Sequence, residues 1–432
     1  MLLSFSVENY LSFRDKAVLE LIPDALKEYP ENLHTPILYD LNFKLLKSMS
    51  IYGHNSHGKS NFIKSYIFFQ RLILHSTDPN TSENIDVDNF RLNKATTQRP
   101  SSFEIIFLLQ KTRYRYGFRV MPNQVIEEWL YYAEARVREN YLFHRVDQET
   151  KVSRIWQKEV ASIVERSIHF TQKHQLLLSS LITARSIPQP VDQIASWLKG
   201  NVILADVSEE ENLRRAMMIL SVNEYRPLIQ TLIDRADLGF ISIQNKIDSL
   251  TTNKLAIDEE ILKMWYKAEL MEFSLYTRHN VYDSAHNKID SVYFEFLKNE
   301  SAGTLRFLVV ACFLAYAIKK GQLILIDEID SKFHSDLLQL LIQFYNDPAI
   351  NVSGSQMIFT THNTILLNNM LRRDQVMLIE KNEFGESTIK KAHSADNPIR
   401  LDASIEKEYR KGKLGGVSKK LREDNNQRSF DF

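Results

Sequence analysis

The sequence predicts an α/β fold: a mixed N-terminal sheet and a parallel sheet carrying a glycine-rich loop, with a helical insertion between them. Three observations predict it. An apolar run, Leu45–Tyr52, ends in Gly53-His54-Asn55-Ser56-His57-Gly58-Lys59-Ser60 and leads into a helical pattern at Asn61–Leu74. A second apolar run, Leu323-Ile324-Leu325-Ile326, ends in Asp327-Glu328. Beyond residue 300, helical and strand patterns alternate, the order of a parallel sheet covered by helices.

In chain order, Leu2–Tyr10 and Ala17–Ile22 are short runs of strand-favouring residues. After the loop helix, Phe103–Leu109 and Tyr114–Val120 flank the polar Gln110–Arg113 and read as a hairpin, which Val125–Glu134 and Tyr141–Val146 extend. From Ser153 to Asp290 the pattern turns helical, most clearly at Leu213–Leu220, Pro227–Arg235 and Ile257–Phe273. No heptad repeat is sustained there, so a compact insertion is expected and not a long coiled-coil arm. Helix Thr304–Lys320, strand Leu323–Asp327, helix Ser335–Tyr345 and strands Gln356–Thr360 and Val376–Glu380 follow. Lys407–Phe432 is polar, with Gly412, Gly415 and Gly416, and reads as a tail. The expected domains are residues 1–150, a lobe with the glycine-rich loop; 151–295, the insertion; 296–405, a C-terminal lobe; and 406–432, the tail.

Composition narrows the function. Lys+Arg and Asp+Glu balance at 54 each, so no whole-chain field draws the protein to nucleic acid or a membrane surface. The single cysteine, Cys312, excludes an internal disulfide and a cysteine-rich zinc site, and it suits a reducing cytoplasm. The first residues lack a basic region followed by a long apolar stretch, so no signal peptide is expected. The longest apolar run, Phe307–Ile318, falls short of the ~20 residues of a membrane span. A cytoplasmic protein without a membrane domain is the expectation.

The Gly53–Ser60 loop has the spacing GxxxxGK[ST] between a strand and a helix. Backbone N–H groups in such a loop wrap phosphates, and the helix N-terminus faces their negative charge. Gly53, Asn55, Ser56, Gly58, Lys59, Ser60 and Asn61 are therefore the candidate nucleotide contacts. Lys59 would reach the β- and γ-phosphates of ATP, and the Ser60 hydroxyl would ligate Mg²⁺. A chance match at an ordinary turn competes, and it is rare in a chain with 12 glycines.

The run ending in Asp327-Glu328 is continuous, as a strand buried on both faces is, and ligands sit at the C-terminal ends of such strands. Asp327 would hold Mg²⁺, while Glu328 would orient and deprotonate the attacking water. Alone, the same pattern also fits a strand end and an acidic turn. Upstream, Glu300-Ser301-Ala302-Gly303-Thr304 opens a helix. Ser301 or Thr304 fits a simple cap, and Gly303 would let a backbone N–H approach a phosphate; the two readings are compatible. In Phe359-Thr360-Thr361-His362-Asn363, His362 stands at the end of the next strand. A lone histidine is more often structural, but this place favours a role in the site.

The Ser301-Ala302-Gly303 turn resembles the signature motif of ABC-type ATPases. Phe5-Ser6-Val7-Glu8-Asn9-Tyr10-Leu11-Ser12-Phe13-Arg14 resembles the opening strand and turn of RecF-, SMC- and Rad50-like members. More narrowly, that block resembles the AAA15-type ATPases of bacterial anti-phage and abortive-infection systems (RloA and AbiLi-like proteins, and the ATPase of PARIS). Asn55–Asn61, Ser102–Leu108, Tyr114–Phe118, Glu127–Tyr131, Glu300–Arg306, Val376–Lys381 and Glu408–Gly416 resemble them too. The resemblance spans nearly the whole chain.

The resemblance implies an ABC-type ATPase head that binds ATP and Mg²⁺. Ser301 and Gly303 of one subunit would close over the γ-phosphate held by another, giving a head-to-tail dimer or higher oligomer. His362 would be the switch histidine supporting Glu328, and Asp330 would sense the opposite subunit. It also implies an ATP-hydrolysing sensor or scaffold of anti-phage defence, controlling a separately encoded effector, a nuclease, under a phage-encoded trigger. The sequence departs from the family at His54 and His57, where relatives carry small residues, and at Phe333-His334-Ser335, where they carry Leu-His-Pro. No convincing Q-loop is found, Gln98 being the nearest candidate. The competing reading is a RecF- or SMC-like DNA-binding ATPase of repair or maintenance, with Arg214, Arg215, Arg226 and Arg235 as basic candidates; an ordinary solvated helix face explains the same residues. A third reading is a scaffold that binds ATP with little turnover.

Overall fold

A computed structural model describes residues 1–36, 43–79, 83–134, 137–205, 208–247, 273–332, 334–394, 399 and 403–414. The chain folds into two units, Met1–Ala205 with Gly321–Glu328 and Gly354–Phe432, and Asp206–Lys320 with Ile329–Ser353.

The first unit holds two large sheets. Its seven-stranded antiparallel sheet has the order Glu149–Val152, Asn140–Val146, Gln124–Glu134, Thr112–Met121, Ser101–Leu109, Leu2–Glu8 and Ala17–Glu20. Along Ser101–Leu109, Phe103, Ile105 and Phe107 are buried at every second position, the period of a strand with one face on a core. The six-stranded sheet has the order Val202–Leu204, Leu323–Ile326, Gln356–Thr360, Ser48–Tyr52, Val376–Lys381 and Ser387–Lys391. All its pairings are parallel except the last. Its three central strands are buried at every residue; Leu323–Ile326 reads as an unbroken apolar run for that reason, while the other two bury polar side chains as well, Ser48, Ser50, Gln356 and Thr360.

Helix Lys59–His75 packs Phe62, Tyr66 and Phe69 edge-on against Phe5 of the first strand, with ring centroids 5.8, 5.2 and 5.5 Å away. These residues share one hydrophobic core with Leu325, Ile358 and Met377 of the parallel sheet. Each buried aromatic contributes roughly 1.5–3 kcal/mol, so the loop helix is fixed to both sheets.

Residues of the expected insertion up to Gly200 belong to this unit, as helices Ala161–Phe170, Leu177–Ile182 and Gln189–Gly200. Fully buried Glu128 accepts from Leu177 N at 2.7 Å, Leu178 N at 2.9 Å and Tyr116 Oη at 3.0 Å. It thereby satisfies the first amides of Leu177–Ile182. Burial raises its pKa, opposed by Arg145 3.7 Å away and by these amides.

The second unit packs helices Glu209–Ser221, Arg226–Ala236, Ala302–Lys320 and Ser335–Asn346 with a three-stranded antiparallel sheet. By length and composition Ala302–Lys320 meets the requirement for a membrane span, but it is buried at every residue from Phe307 to Ile318, as a core helix is. The expected helices at Leu213–Leu220 and Pro227–Arg235 lie within the first two of these.

The helical reading needs correction beyond Ala236, where the chain forms strands Ser242–Ile247, Phe273–Tyr282 and Lys288–Glu295. Phe273, expected to end a helix from Ile257, opens the middle strand, whose Phe, Tyr, Thr and Val residues favour that conformation. The rest of the expected Ile257–Phe273 helix lies outside the described residues. Residues 415–432 of the expected tail lie outside them too, and its start falls in helix Ile405–Arg410, capped by Ser404.

Candidate functional site

Strand Ser48–Tyr52 delivers Gly53 at its C-terminal end, and helix Lys59–His75 departs from Gly58. Gly58 has φ 114°, in the left-handed region, and a Cβ there would lie 2.6 Å from Ser387 Oγ and 2.8 Å from Ser12 Oγ. Asn55 and Ser56 are exposed, Ser56 has φ 65°, and His57 N donates to His54 O at 3.2 Å. Lys59 is buried, and its Nζ donates to Gly53 O at 2.9 Å and His54 O at 3.4 Å. The ammonium thus lies across its own loop at the start of a helix, an arrangement that suits a polyphosphate.

The loop is braced from outside by two serines. Ser387 Oγ donates to His57 O at 2.6 Å, Asn61 Nδ2 donates to Ser12 Oγ at 2.9 Å, and Ser387 N donates to Ser12 O at 2.7 Å. The His54 and His57 rings stand 5.4 Å apart. Burial holds His57 below the usual histidine range, against a hydrogen bond to the Ile379 backbone.

In the parallel sheet the strand ending at Thr360 lies between the strands ending at Tyr52 and Ile326. The ends carrying Gly53 and Asp327 are therefore two strand spacings apart, about 10 Å. Thr360 Oγ1 donates to Asp327 Oδ1 at 2.5 Å and accepts from Glu328 N at 2.7 Å. Asp327 N is tied in turn to Leu204 O at 3.1 Å. Glu328 is exposed with φ 49°, a left-handed value for a residue with a side chain. His362 is exposed just past the middle strand, where Thr361 N donates to Ile51 O at 3.2 Å and Tyr52 Oη to Asn363 O at 2.8 Å. One sheet edge thus collects the Gly53–Asn61 loop, Asp327, Glu328 and His362. Ser60 and Asp327 offer oxygen donors of the kind Mg²⁺ prefers.

Ser301, Gly303 and Asp330 belong to the second unit. Ser301 Oγ accepts from Thr304 N at 3.1 Å, so it caps helix Ala302–Lys320. A Cβ on Gly303 would lie 2.5 Å from Lys332 O, so glycine is needed there for close approach of that backbone. Lys332, with φ 74°, pairs with Glu209, and Asp330 is half-buried in the same turn. His334 caps helix Ser335–Asn346, accepting from Asp336 N at 3.3 Å; Phe333 lies outside the described residues. Gln98 is exposed in a 3₁₀ turn of the first unit.

The basic candidates have local partners. Arg214 and Arg215 pair with Glu210 and Glu211 one turn earlier, Arg226 Nε donates to Leu220 O at 3.0 Å, and Arg235 lies 5.7 Å from the Phe344 ring centre. Sequence reasoning assigned no role to Thr360, Ser12 or Ser387, although the first two stand inside the quoted motifs; only contacts far along the chain reveal what they hold.

The chain is similar in structure to two solved forms of the recombination mediator protein RecF in the RecFOR pathway, RecF-ATPrS and RecF-ATP. Identity is 10% and 11% and TM-scores are 0.32 and 0.33, over 90% of this chain and 98% and 97% of those chains. No curated protein matches the sequence. Residues 48–368, from the first residue of the loop strand to beyond His362, match the family described as "AAA domain, putative AbiEii toxin, Type IV TA system", and the chain belongs to that family.

Proposed function

We propose that the protein hydrolyses ATP in the manner of an ABC-type ATPase, as a cytoplasmic sensor or scaffold of an anti-phage, abortive-infection system. The observation that carries the chemistry is the gathering of Lys59, the loop amides, Asp327, Glu328 and His362 along one edge of one parallel sheet. Lys59 and the loop amides bind the triphosphate, and Glu328 accepts a proton from the water whose oxygen attacks the γ-phosphorus. The bond to the β-phosphate oxygen breaks, and ADP and phosphate leave. Mg²⁺, held by Ser60 and Asp327, would offset phosphate charge when bound. His362 contacts the γ-phosphate, while Ser301, Gly303 and Asp330 act from a second copy, in a head-to-tail dimer or higher oligomer.

The wider role rests on the motif resemblance. The family description, which names a "putative AbiEii toxin, Type IV TA system", supports a setting of this general kind. The partner is a separately encoded effector, a nuclease, and the trigger is phage-encoded. The rival DNA-binding reading lacks a specific observation in its favour, because its four arginines are engaged locally.

Phosphate release by Glu328→Gln tests the chemistry: loss of a general base lowers turnover by ~10²–10⁴-fold, and a wild-type rate would defeat the assignment. The same variant, tagged and recovered with ATP from its native host, tests the role. A stoichiometric nuclease in the eluate supports the effector reading, and duplex DNA alone overturns it.

A further inference from the structure

Glu300, immediately before the Ser301 turn, is held from the side by the three-stranded sheet. Its Oε1 accepts from Thr277 Oγ1 at 2.8 Å and lies 3.1 Å from His279 Nε2, which is itself 3.0 Å from Thr277 Oγ1. Thr277 is fully buried and the Glu300 side chain is 11% exposed, so water is a poor substitute for these contacts. Thr277 and His279 lie on Phe273–Tyr282, the middle strand, where Thr277 is paired with Ile243 on one side and Phe294 on the other. The main chain is fixed as well. Glu300 N donates to Phe296 O at 2.9 Å, and fully buried Phe296 stands 6.4 Å from Phe240.

A helix cap requires none of this, because Ser301 caps Thr304 whatever Glu300 does. We propose that Glu300, Thr277 and His279 form a positioning network that sets the Ser301–Gly303 turn for contact with the nucleotide of a second copy. Gly303 against Lys332 O supports the turn from the opposite end of the same segment. The proposal rests on the reading that Ser301 and Gly303 serve a shared ATP site. On that reading the three-stranded sheet holds the carboxylate that anchors a phosphate-facing turn.

The test uses the full chain with Thr277→Val, Thr277→Ser, Glu300→Ala, Glu300→Gln and Ser301→Arg. Binding of a fluorescent ATP analogue and steady-state hydrolysis at rising protein concentration are measured on each. Thr277→Val and Glu300→Ala are expected to bind nucleotide like wild type, whose loop lies in the other unit, yet to lose at least about tenfold in kcat with little change in KM. Thr277→Ser, which keeps the hydroxyl, and Glu300→Gln, which keeps an acceptor, should recover most of that loss. Ser301→Arg should be inactive. If Thr277→Val and Glu300→Ala hydrolyse normally while Ser301→Arg does not, the network proposal fails and the shared-site reading stands. Wild-type hydrolysis by Ser301→Arg removes both. Equal loss in Thr277→Ser and Thr277→Val, or loss of nucleotide binding along with turnover, makes the network merely structural and overturns the proposal.

Discussion

Replacing Thr360 by valine removes one oxygen at nearly constant volume, and that oxygen serves both acidic residues. It donates to Asp327 at 2.5 Å and accepts the Glu328 amide at 2.7 Å, from a fully buried position. A hydrogen bond to a charged group contributes about 1.5–3 kcal/mol and one between neutral groups about 0.5–1.5. Asp327 is only half-buried and Glu328 is exposed, so water recovers part of this and a net loss of about 2 kcal/mol is expected. The left-handed backbone of Glu328 costs roughly 1–2 kcal/mol and is held in place by that amide bond. Once released, it turns toward right-handed values and carries the carboxylate away from the position that the proposed mechanism gives it beside the attacking water. A misplacement of about 2 kcal/mol corresponds to about 30-fold in rate. Thr360→Val should therefore melt a few degrees lower and lose about 30-fold in kcat, with ATP affinity nearly unchanged; Thr360→Ser should behave as wild type. Thermal shift and phosphate release read the two effects separately. A Thr360→Val protein that melts lower but turns over at the wild-type rate refutes the positioning argument.

Three further predictions concern other parts of the fold. Gly58→Ala places a Cβ 2.6 Å from Ser387 Oγ in a left-handed conformation, so nucleotide affinity should collapse; normal binding of a fluorescent ATP analogue would show that the loop does not need this glycine. Burial raises the Glu128 pKa above its unfolded value. Its contribution to stability is therefore fully present below the unfolded-state pKa and is lost as pH rises through the raised native one. Melting temperatures across mildly acid to neutral pH should fall less steeply in Glu128→Gln than in wild type, and parallel curves would contradict the sign. Cys312 is fully buried, and burial pushes its thiol pKa upward; a thiol reagent should label it only after denaturation, and rapid labelling of native protein would refute its burial.

The parts of the fold that were legible in sequence are those whose burial is uniform or strictly periodic. Leu323–Ile326 is buried on both faces and reads as an apolar run, and Ser101–Leu109 alternates as its burial does. The loop was legible because its chemistry imposes a fixed spacing on consecutive residues. The three-stranded sheet was not, since Lys288–Glu295 has no buried residue and so leaves no alternation to read. What braces the site was also hidden. Ser12 meets Asn61 across 49 positions, and Ser387 meets His57 across 330. Such pairings have no local signature, and a serine or threonine that braces a site is indistinguishable in sequence from one that faces water.

The place of Ser48–Tyr52 between Gln356–Thr360 and Val376–Lys381 has a consequence for biosynthesis. Ser50 and its hydrogen-bond partner Gln375 are 325 residues apart. At roughly 5–20 residues per second, a ribosome that has made the phosphate loop needs on the order of tens of seconds to make the strands that flank it. The nascent loop strand spends that interval with the backbone N–H and C=O groups of both its edges lacking their native partners, which makes it a natural client for a chaperone. Completion of the loop's surroundings is thus a late event in synthesis, and a chain terminated before Val376 would carry every residue of the loop and four of the sheet's six strands, yet lack Val376–Lys381 beside the loop strand and the Ser387 that braces the loop.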